Sequence, residues 1–342
     1  MSGTLEANGS DLLLSVRDLR VEFDTDEGRI IAVDGVDFDV PQGRTLGIVG
    51  ESGSGKSVST KALMQLLPKN AHIGAASQML FRRADGSQVD IAKLGNRSAD
   101  IRSIRGGEIA MIFQEPMASF SPVYSIGNQM MEAIRLHRNA GRKEAREIAI
   151  DMLDRVGISN AGLRVDQFPH ELSGGMRQRA MIALALSTRP SLLIADEPTT
   201  ALDVTIQAQI LELMRELQAE FGMSIIFITH DMGVIAHVAD EVAVMYLGRV
   251  IERGATADVI QNPKHPYSHG LLAAIPDLDF QHARLQPVPG DIPSPLERPR
   301  GCPFHTRCPN KIEQHCDQAL PPALQVTATQ SVSCFLYGQM AD

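Results

Sequence analysis

No apolar run in this chain approaches the roughly 20 residues that a membrane helix needs. Leu192–Ala195 stops at Asp196, and Ser224–Thr229 is bounded by Gly222 and His230. A helical membrane span is therefore not expected. Met1–Ser10 also lacks a basic stretch followed by an apolar core, so no signal peptide is read there. Basic residues are in deficit, with 32 Lys and Arg against 41 Asp and Glu, for a net charge of −9. That balance argues against a broad nucleic-acid-binding face, which is normally basic. No segment repeats another, so each motif below occurs once. Together these absences predict a soluble, cytoplasmic chain whose membrane role, if it has one, comes through a partner.

Enough remains for a large core. The chain has 342 residues, 44% of them apolar, which suits one large domain or a domain with an appendage. Leu12–Val16 and Arg20–Asp24 read as strands, and Gly35–Val40 alternates apolar and polar residues as another. Thr45–Gly50 is a short buried strand that runs into a Gly-rich loop. Lys56–Leu67 reads as a helix ended by Pro68. Ile109–Phe113 is again a buried strand. From about 115 to 190 the period turns helical, with helices predicted at Gly127–Arg138, Arg142–Val156 and Gly174–Thr188. Strands and helices then alternate: Leu192–Asp196, Val204–Phe221, Ser224–Thr229, Met232–Val238 and Glu241–Tyr246. This pattern predicts an α/β fold with a mostly parallel sheet covered on both faces, interrupted by a helical insertion. Beyond Ala257 lie twelve of the 19 prolines and all four cysteines. A boundary is expected there, and Val288–Pro295 reads as irregular chain.

Three segments carry chemistry. Gly50-Glu51-Ser52-Gly53-Ser54-Gly55-Lys56-Ser57 fits G-x-x-x-x-G-K-S between a strand and a helix. Glycines let backbone N–H groups turn inward around phosphates, and the helix aims its positive end at the same place. Lys56 is expected to reach the outer phosphates and Ser57 to ligate Mg²⁺. Asp196 and Glu197 end an apolar strand. The first carboxylate can hold Mg²⁺ through water, and the second can orient and deprotonate an attacking water. Leu172-Ser173-Gly174-Gly175-Met176 opens a helix, where a hydroxyl and two glycine amides can bind an anion or Ser173 can simply cap. Gln114 and His230 each follow a strand. Such residues are usually surface, but here Gln114 can touch Mg²⁺ or the water and His230 the γ-phosphate.

Taken together, these segments resemble the ATP-binding subunits of ABC transporters, over roughly Leu12 to Gly254. Walker A corresponds to Gly50–Ser57, the Q-loop to Gln114 and the signature to Leu172–Met176. Walker B corresponds to Leu192–Glu197, the D-loop to Ala201-Leu202-Asp203 and the H-loop to His230. The resemblance implies a P-loop NTPase fold of the ABC type with a helical subdomain near 115–190. It implies ATP sandwiched in a head-to-tail dimer between the Walker motifs of one subunit and the signature of the other. Glu197 would then be the general base and His230 the γ-phosphate sensor. The family's adenine-stacking aromatic has no Tyr or Trp candidate here. Phe23 is the nearest match, with a core phenylalanine as the alternative.

A narrower resemblance, to the oligopeptide/dipeptide importer subfamily, rests on Glu115–Tyr124 and on His265-Pro266-Tyr267 followed by Gly270-Leu271-Leu272. The subfamily more often has Leu-Asn-Pro where this chain has Phe120-Ser121-Pro122. The implied organisation is a flexible tail at 1–11, an ATPase domain at 12–256 and a C-terminal extension at 257–342. Implied partners are a second ATPase subunit, two membrane permease subunits gripped near the Q-loop and, indirectly, a solute-binding protein. The chain would work at the cytoplasmic face of the membrane. A soluble ABC ATPase acting on nucleic acid or ribosomes is the alternative, and a regulatory ATP-binding module a second.

Cys302, Cys308, Cys316 and Cys334 are spaced C-x5-C-x7-C-x17-C. Cytoplasmic chains rarely keep disulfides, and this segment has little apolar content, so a metal in place of a core is expected. The spacing lacks the C-x2-C pair common at zinc sites. Cys302-Pro303 and Cys308-Pro309 resemble iron–sulfur ligation. A [4Fe–4S] cluster is the favoured expectation, with zinc or unligated thiols as alternatives.

Overall fold

Alternation of side chains builds the first layer. In the segment Val36–Val40, Val36, Phe38 and Val40 point inward while Asp37 and Asp39 do not, as a pleated strand with one buried face requires. The computed structural model describes residues 11–114, 120–200, 203–274 and 288–338. Within them the strands are β1 (Leu12–Thr25), β2 (Gly28–Pro41), β3 (Thr45–Val49), β4 (Ala71–Ile73), β5 (Gln78–Arg82), β6 (Gln88–Asp90) and β7 (Ile109–Ile112). They continue as β8 (Leu192–Asp196), β9 (Ser224–Thr229), β10 (Glu241–Tyr246), β11 (Arg249–Ala255), β12 (Leu324–Gln325) and β13 (Gln330–Val332).

Two sheets result. β2, β1, β5 and β6 form an antiparallel sheet, with β4 also paired to β1. The second sheet runs β12-β13-β11-β10-β3-β9-β8-β7. Its β10, β3, β9, β8 and β7 are mutually parallel. Every residue of β3, β8 and β9 is buried, which is what a parallel strand covered on both faces looks like. One core lies between the two sheets, including Leu14, Phe38, Ile48, Phe81 and Ile194. The other joins the far face of the parallel sheet to the helices Ile126–Arg138, Arg142–Arg155 and Gly174–Leu186.

The expected parallel sheet is present, but it is mixed: β11, β13 and β12 extend it antiparallel. The C-terminal segment thus pairs with the edge of the ATPase sheet and adds Cys302, Phe304 and Cys316 to its core. The expected helix Lys56–Leu67 stops at Leu63. Arg105 takes the backbone carbonyls of Met64 (2.5 Å) and Gln65 (2.8 Å) from the side, and Gln65 turns to φ 50°. Among the described residues no helix is long and apolar enough to cross a membrane. The predicted N-terminal tail (apart from Asp11), Glu115–Ser119 and Ala201-Leu202 lie outside the described residues.

Candidate active site

In open parallel sheets, ligand sites form beyond the carboxyl ends of the strands. Here β3, β7, β8 and β9 end at Val49, Ile112, Asp196 and Thr229, and the residues singled out from sequence follow directly. The loop after β3 needs its glycines at two points. A Cβ on Gly50 would lie 2.2 Å from the Met245 carbonyl oxygen, and one on Gly55 2.5 Å from that of Ala32. Gly55 also sits at φ 97° and hands over to the helix Lys56–Leu63, a conformation that a side chain would strain.

Lys56 is buried, and its ammonium donates to the carbonyls of Gly50 (2.6 Å) and Glu51 (2.9 Å) and to Ser54 Oγ (3.5 Å). Burial lowers its pKa, against the pull of Glu197, Asp196 and Glu51. Ser52 and Gly53 stay exposed at the mouth of the loop. Ser57 Oγ donates to Asp196 Oδ1 at 2.9 Å, so the two expected Mg²⁺ ligands already touch. Burial raises the Asp196 pKa, and the Ser57 hydrogen bond opposes it. A hard cation with oxygen ligands would relieve that buried carboxylate, and the hydroxyl–carboxylate pair fits Mg²⁺.

Glu197 stands at φ 48°, a backbone region costly for a non-glycine residue and common at functional sites. Its N–H donates to the Ile228 carbonyl at 2.9 Å, which fixes the turn against β9. The carboxylate then collects three groups. Gln114 Nε2 donates to Oε2 at 3.0 Å, Thr200 Oγ1 donates to the same oxygen at 3.0 Å, and His230 Nδ1 lies 3.5 Å from Oε1. Glu197 is mostly covered, while His230 and Gln114 are open to solvent. A water held beside this carboxylate would have a base, an amide and an imidazole around it.

The structure thus brings Gly50–Ser57, Gln114, Asp196, Glu197 and His230 together. It keeps Ser173, Gly174 and Gly175 apart from them. Among the described residues no hydrogen bond or ion pair joins that turn to the phosphate loop. Ser173 caps the 13-residue helix Gly174–Leu186 by accepting the Met176 N–H at 3.4 Å. Ser173 and Gly174 are exposed, so the helix N-terminus faces outward. Buried Gln178 on that helix donates to the Pro198 carbonyl, tying the turn to the residue after Glu197. Asp203 caps the helix Val204–Phe221 through the Ile206 N–H at 2.9 Å. Phe23, on β1, is half-buried against the core between the sheets.

Sequence reasoning missed Thr200; its place three residues after Glu197 in a Pro-Thr-Thr turn was the available signal. It also missed Tyr267 and Arg307, which reach Glu51 from far along the chain. No local pattern announces those contacts.

The four cysteines are free, and Cys302, Cys316 and Cys334 are buried. Burial pushes the Cys302 thiol up to about 12, with Cys316, Cys334 and Cys308 acting in the same direction. Burial likewise raises Cys308 and Cys334. Among the described residues no group of three or more His, Cys, Asp or Glu is arranged to hold a metal ion. The expected cluster has no preformed ligand geometry behind it. Ligation requires thiolates, and burial pushes Cys302, Cys308 and Cys334 toward the neutral form.

Fold and site together define a P-loop ATPase cassette. The ABC transporter family pattern matches residues 33–200, and the pattern for the oligopeptide/dipeptide transporter C-terminal region matches 251–316. An oligopeptide transport ATP-binding protein, OppD of Salmonella typhimurium, is 48% identical over 326 residues, covering 95% of this chain and 94% of that one. A dipeptide transport ATP-binding protein, DppD of Bacillus subtilis, is 46% identical over 330 residues, covering 96% of each. Among solved structures, the post-hydrolysis dimer of the cassette MJ0796 bound to ADP and Pi superposes with TM-score 0.61 at 22% identity, covering 71% of this chain and 98% of that one. The cbiO1 subunit of Clostridium perfringens gives 0.59 at 29% identity over 74% and 92%. The chain belongs to the ATP-hydrolysing subunits of ABC transporters, in the branch that carries the oligopeptide/dipeptide C-terminal region.

Proposed function

We propose that this chain binds and hydrolyses ATP to power peptide import through partner permease subunits. The observation that carries the catalytic part is the Glu197 carboxylate, which meets Gln114, Thr200 and His230 beside the Ser57–Asp196 pair. Lys56 and the loop amides hold the β- and γ-phosphates. Ser57, Gln114 and Asp196 hold Mg²⁺, which would neutralise charge on the transferring phosphoryl group. Glu197 accepts the proton of the attacking water and His230 contacts the γ-phosphate. Phe23 stacks on adenine. Residues 12–256 act as the ATPase domain and 257–342 as its extension, with the tail before them.

The peptide cargo is supported by the names of the relatives. Docking on a permease is supported by Val123 and Tyr124, 70% and 58% exposed just beyond the Q-loop. The assembly would then sit at the cytoplasmic face of the membrane, with a solute-binding protein delivering cargo. No observation favours nucleic acid or ribosomes. Replacing Glu197 with Gln tests the reading: ATP binding should persist while hydrolysis falls by about 10²-fold or more and uptake stops. Uptake that continues in that variant would refute it.

We further propose that the four cysteines ligate a metal, a [4Fe–4S] cluster in the first instance. Four free cysteines within 33 residues, in a segment with little regular structure, support this. Purification without oxygen should give a brown protein containing iron. A colourless, iron-free, folded protein would end the proposal.

A further inference from the structure

Glu51 is the second residue of the phosphate-cradling loop, and its side chain points away from the loop's open mouth into the C-terminal segment. Arg307 meets it there as a fork. Nη1 donates to Glu51 Oε2 at 2.7 Å and Nη2 to Oε1 at 3.1 Å. The two residues are 256 positions apart. Arg307 is 8% exposed, and every N–H direction of its guanidinium is used. Nε donates to the Pro289 carbonyl (2.9 Å), Nη2 also to that of Val288 (3.2 Å), and Nη1 also to Tyr246 Oη (3.4 Å). The cation lies over the Tyr246 ring at 5.7 Å. It has one posture available.

A second contact fixes the same loop residue. The Glu51 backbone N–H donates to the hydroxyl of Tyr267 at 2.9 Å, and Tyr267 is fully buried. A third acts one step removed. Arg298 Nη2 donates to the Leu247 carbonyl at 2.6 Å, and the adjoining Gly248 N–H donates to the Ser54 carbonyl of the loop at 2.9 Å. All three braces come from beyond residue 260, yet they converge on a loop that starts at residue 50. The Glu51 carbonyl is also one of the acceptors that holds Lys56.

A buried ion pair is weak grounds for stability, because desolvation offsets most of its attraction. Its usual return is geometry: a planar fork specifies where a carboxylate sits. We infer that Arg307, with Tyr267, is a positioning residue for nucleotide binding, acting through Glu51 to hold the phosphate loop open and pre-shaped. The C-terminal segment is thereby part of the ATP site and not only an appendage. This inference rests on the assignment of Gly50–Ser57 as the phosphate loop.

The test uses the full-length chain, a fluorescent ATP analogue for affinity and steady-state hydrolysis for KM and kcat. Arg307→Ala, Glu51→Gln and Tyr267→Phe should each weaken nucleotide binding by about tenfold. KM for ATP should rise in proportion, with kcat lowered by less than about threefold. Arg307→Lys, which keeps the charge but loses the fork, should recover only part of the affinity. The double variant of Arg307→Ala and Glu51→Gln should bind no worse than the weaker single one, because both remove one interaction. Lys56→Ala is the reference. If it leaves affinity unchanged, the phosphate-loop assignment itself fails. If it abolishes binding while folded Arg307, Glu51 and Tyr267 variants bind within twofold of the parent, only the brace is overturned. Should Arg307→Ala not fold, Glu51→Gln and Tyr267→Phe decide the matter. Additive losses in the double variant also overturn it.

Discussion

The imidazole of His265 is 1% exposed, and its Nδ1 accepts the Tyr267 N–H at 3.0 Å. Burial pushes its pKa down to about 3, with the neighbouring His269 acting in the same direction. The ring is therefore neutral in the folded protein, and that neutrality starts the helix which places Tyr267 against the phosphate loop. In the unfolded chain the same ring titrates near 6.5. Below that value the unfolded state holds one more proton than the folded state, so acid favours unfolding. This contribution to stability is complete above pH 6.5 and is lost as pH falls from there toward 3. Its steepest slope is about 1.4 kcal/mol per pH unit. Replacing His265 with Asn keeps an acceptor for the Tyr267 N–H but removes the titration. Urea unfolding followed from pH 7 to pH 4.5 should show a shallower loss of stability in that variant than in the parent. Parallel slopes would show that His265 does not carry the acid sensitivity.

At the scale of elements, legibility followed burial and capping. The predicted ranges of β8, β9, β10 and the helices Val204–Phe221 and Met232–Val238 coincide with those observed. Each is bounded by a residue with a local reason to stop. Asp203 and Asp231 cap helix starts, and Gly222 takes the left-handed conformation that ends Val204–Phe221. The N-terminal sheet was read less well. Two strands were expected where β1 runs unbroken for 14 residues. Polar Arg17-Asp18 looks like a turn, but Asp18 at φ 44° sits within an irregular stretch of the β1–β2 ladder. The strand continues because Leu19 and Val21 return to the buried face. β4, β5 and β6 escaped notice because they are three to five residues long and gain their meaning only by pairing with β1 and one another. β13 escaped for a different reason. Its register is set by Gln330, which donates to the buried Glu252 carboxylate at 2.7 Å from 78 residues away. The phosphate-loop and strand-end motifs are local in sequence and were visible, though Thr200 was not. The groups that brace them are long-range and were not.

Over the whole molecule, the outstanding fact is a separation. The phosphate loop and the Glu197 carboxylate lie on one side of the cassette's chemistry. Among the described residues no hydrogen bond or ion pair joins the exposed Ser173-Gly174 turn, with its helix N-terminus, to them. A helix end with an exposed serine and glycine amides is a good anion site, and this chain carries one copy of each motif. On the proposed reading, the two halves meet around one triphosphate across two chains. The buried Gln178 link from the signature helix to Pro198 gives each chain a rigid path from its outward-facing turn to its own Glu197 segment. In an isologous pair, both sites form at once or neither does. Glu197→Gln should trap that state, because nucleotide then binds without being consumed. With ATP and Mg²⁺, light scattering should give twice the monomer mass of 37.2 kDa, and without nucleotide the monomer mass. Adding Ser173→Arg to the trapped chain should return the mass to that of the monomer. On the proposed reading, the substituted side chain fills the space where the partner's phosphates belong. Fluorescent ATP should still bind that monomer, since Lys56 and its loop are untouched. An ATP-loaded Glu197→Gln chain that stays monomeric at every concentration would break the link between the signature turn and the nucleotide.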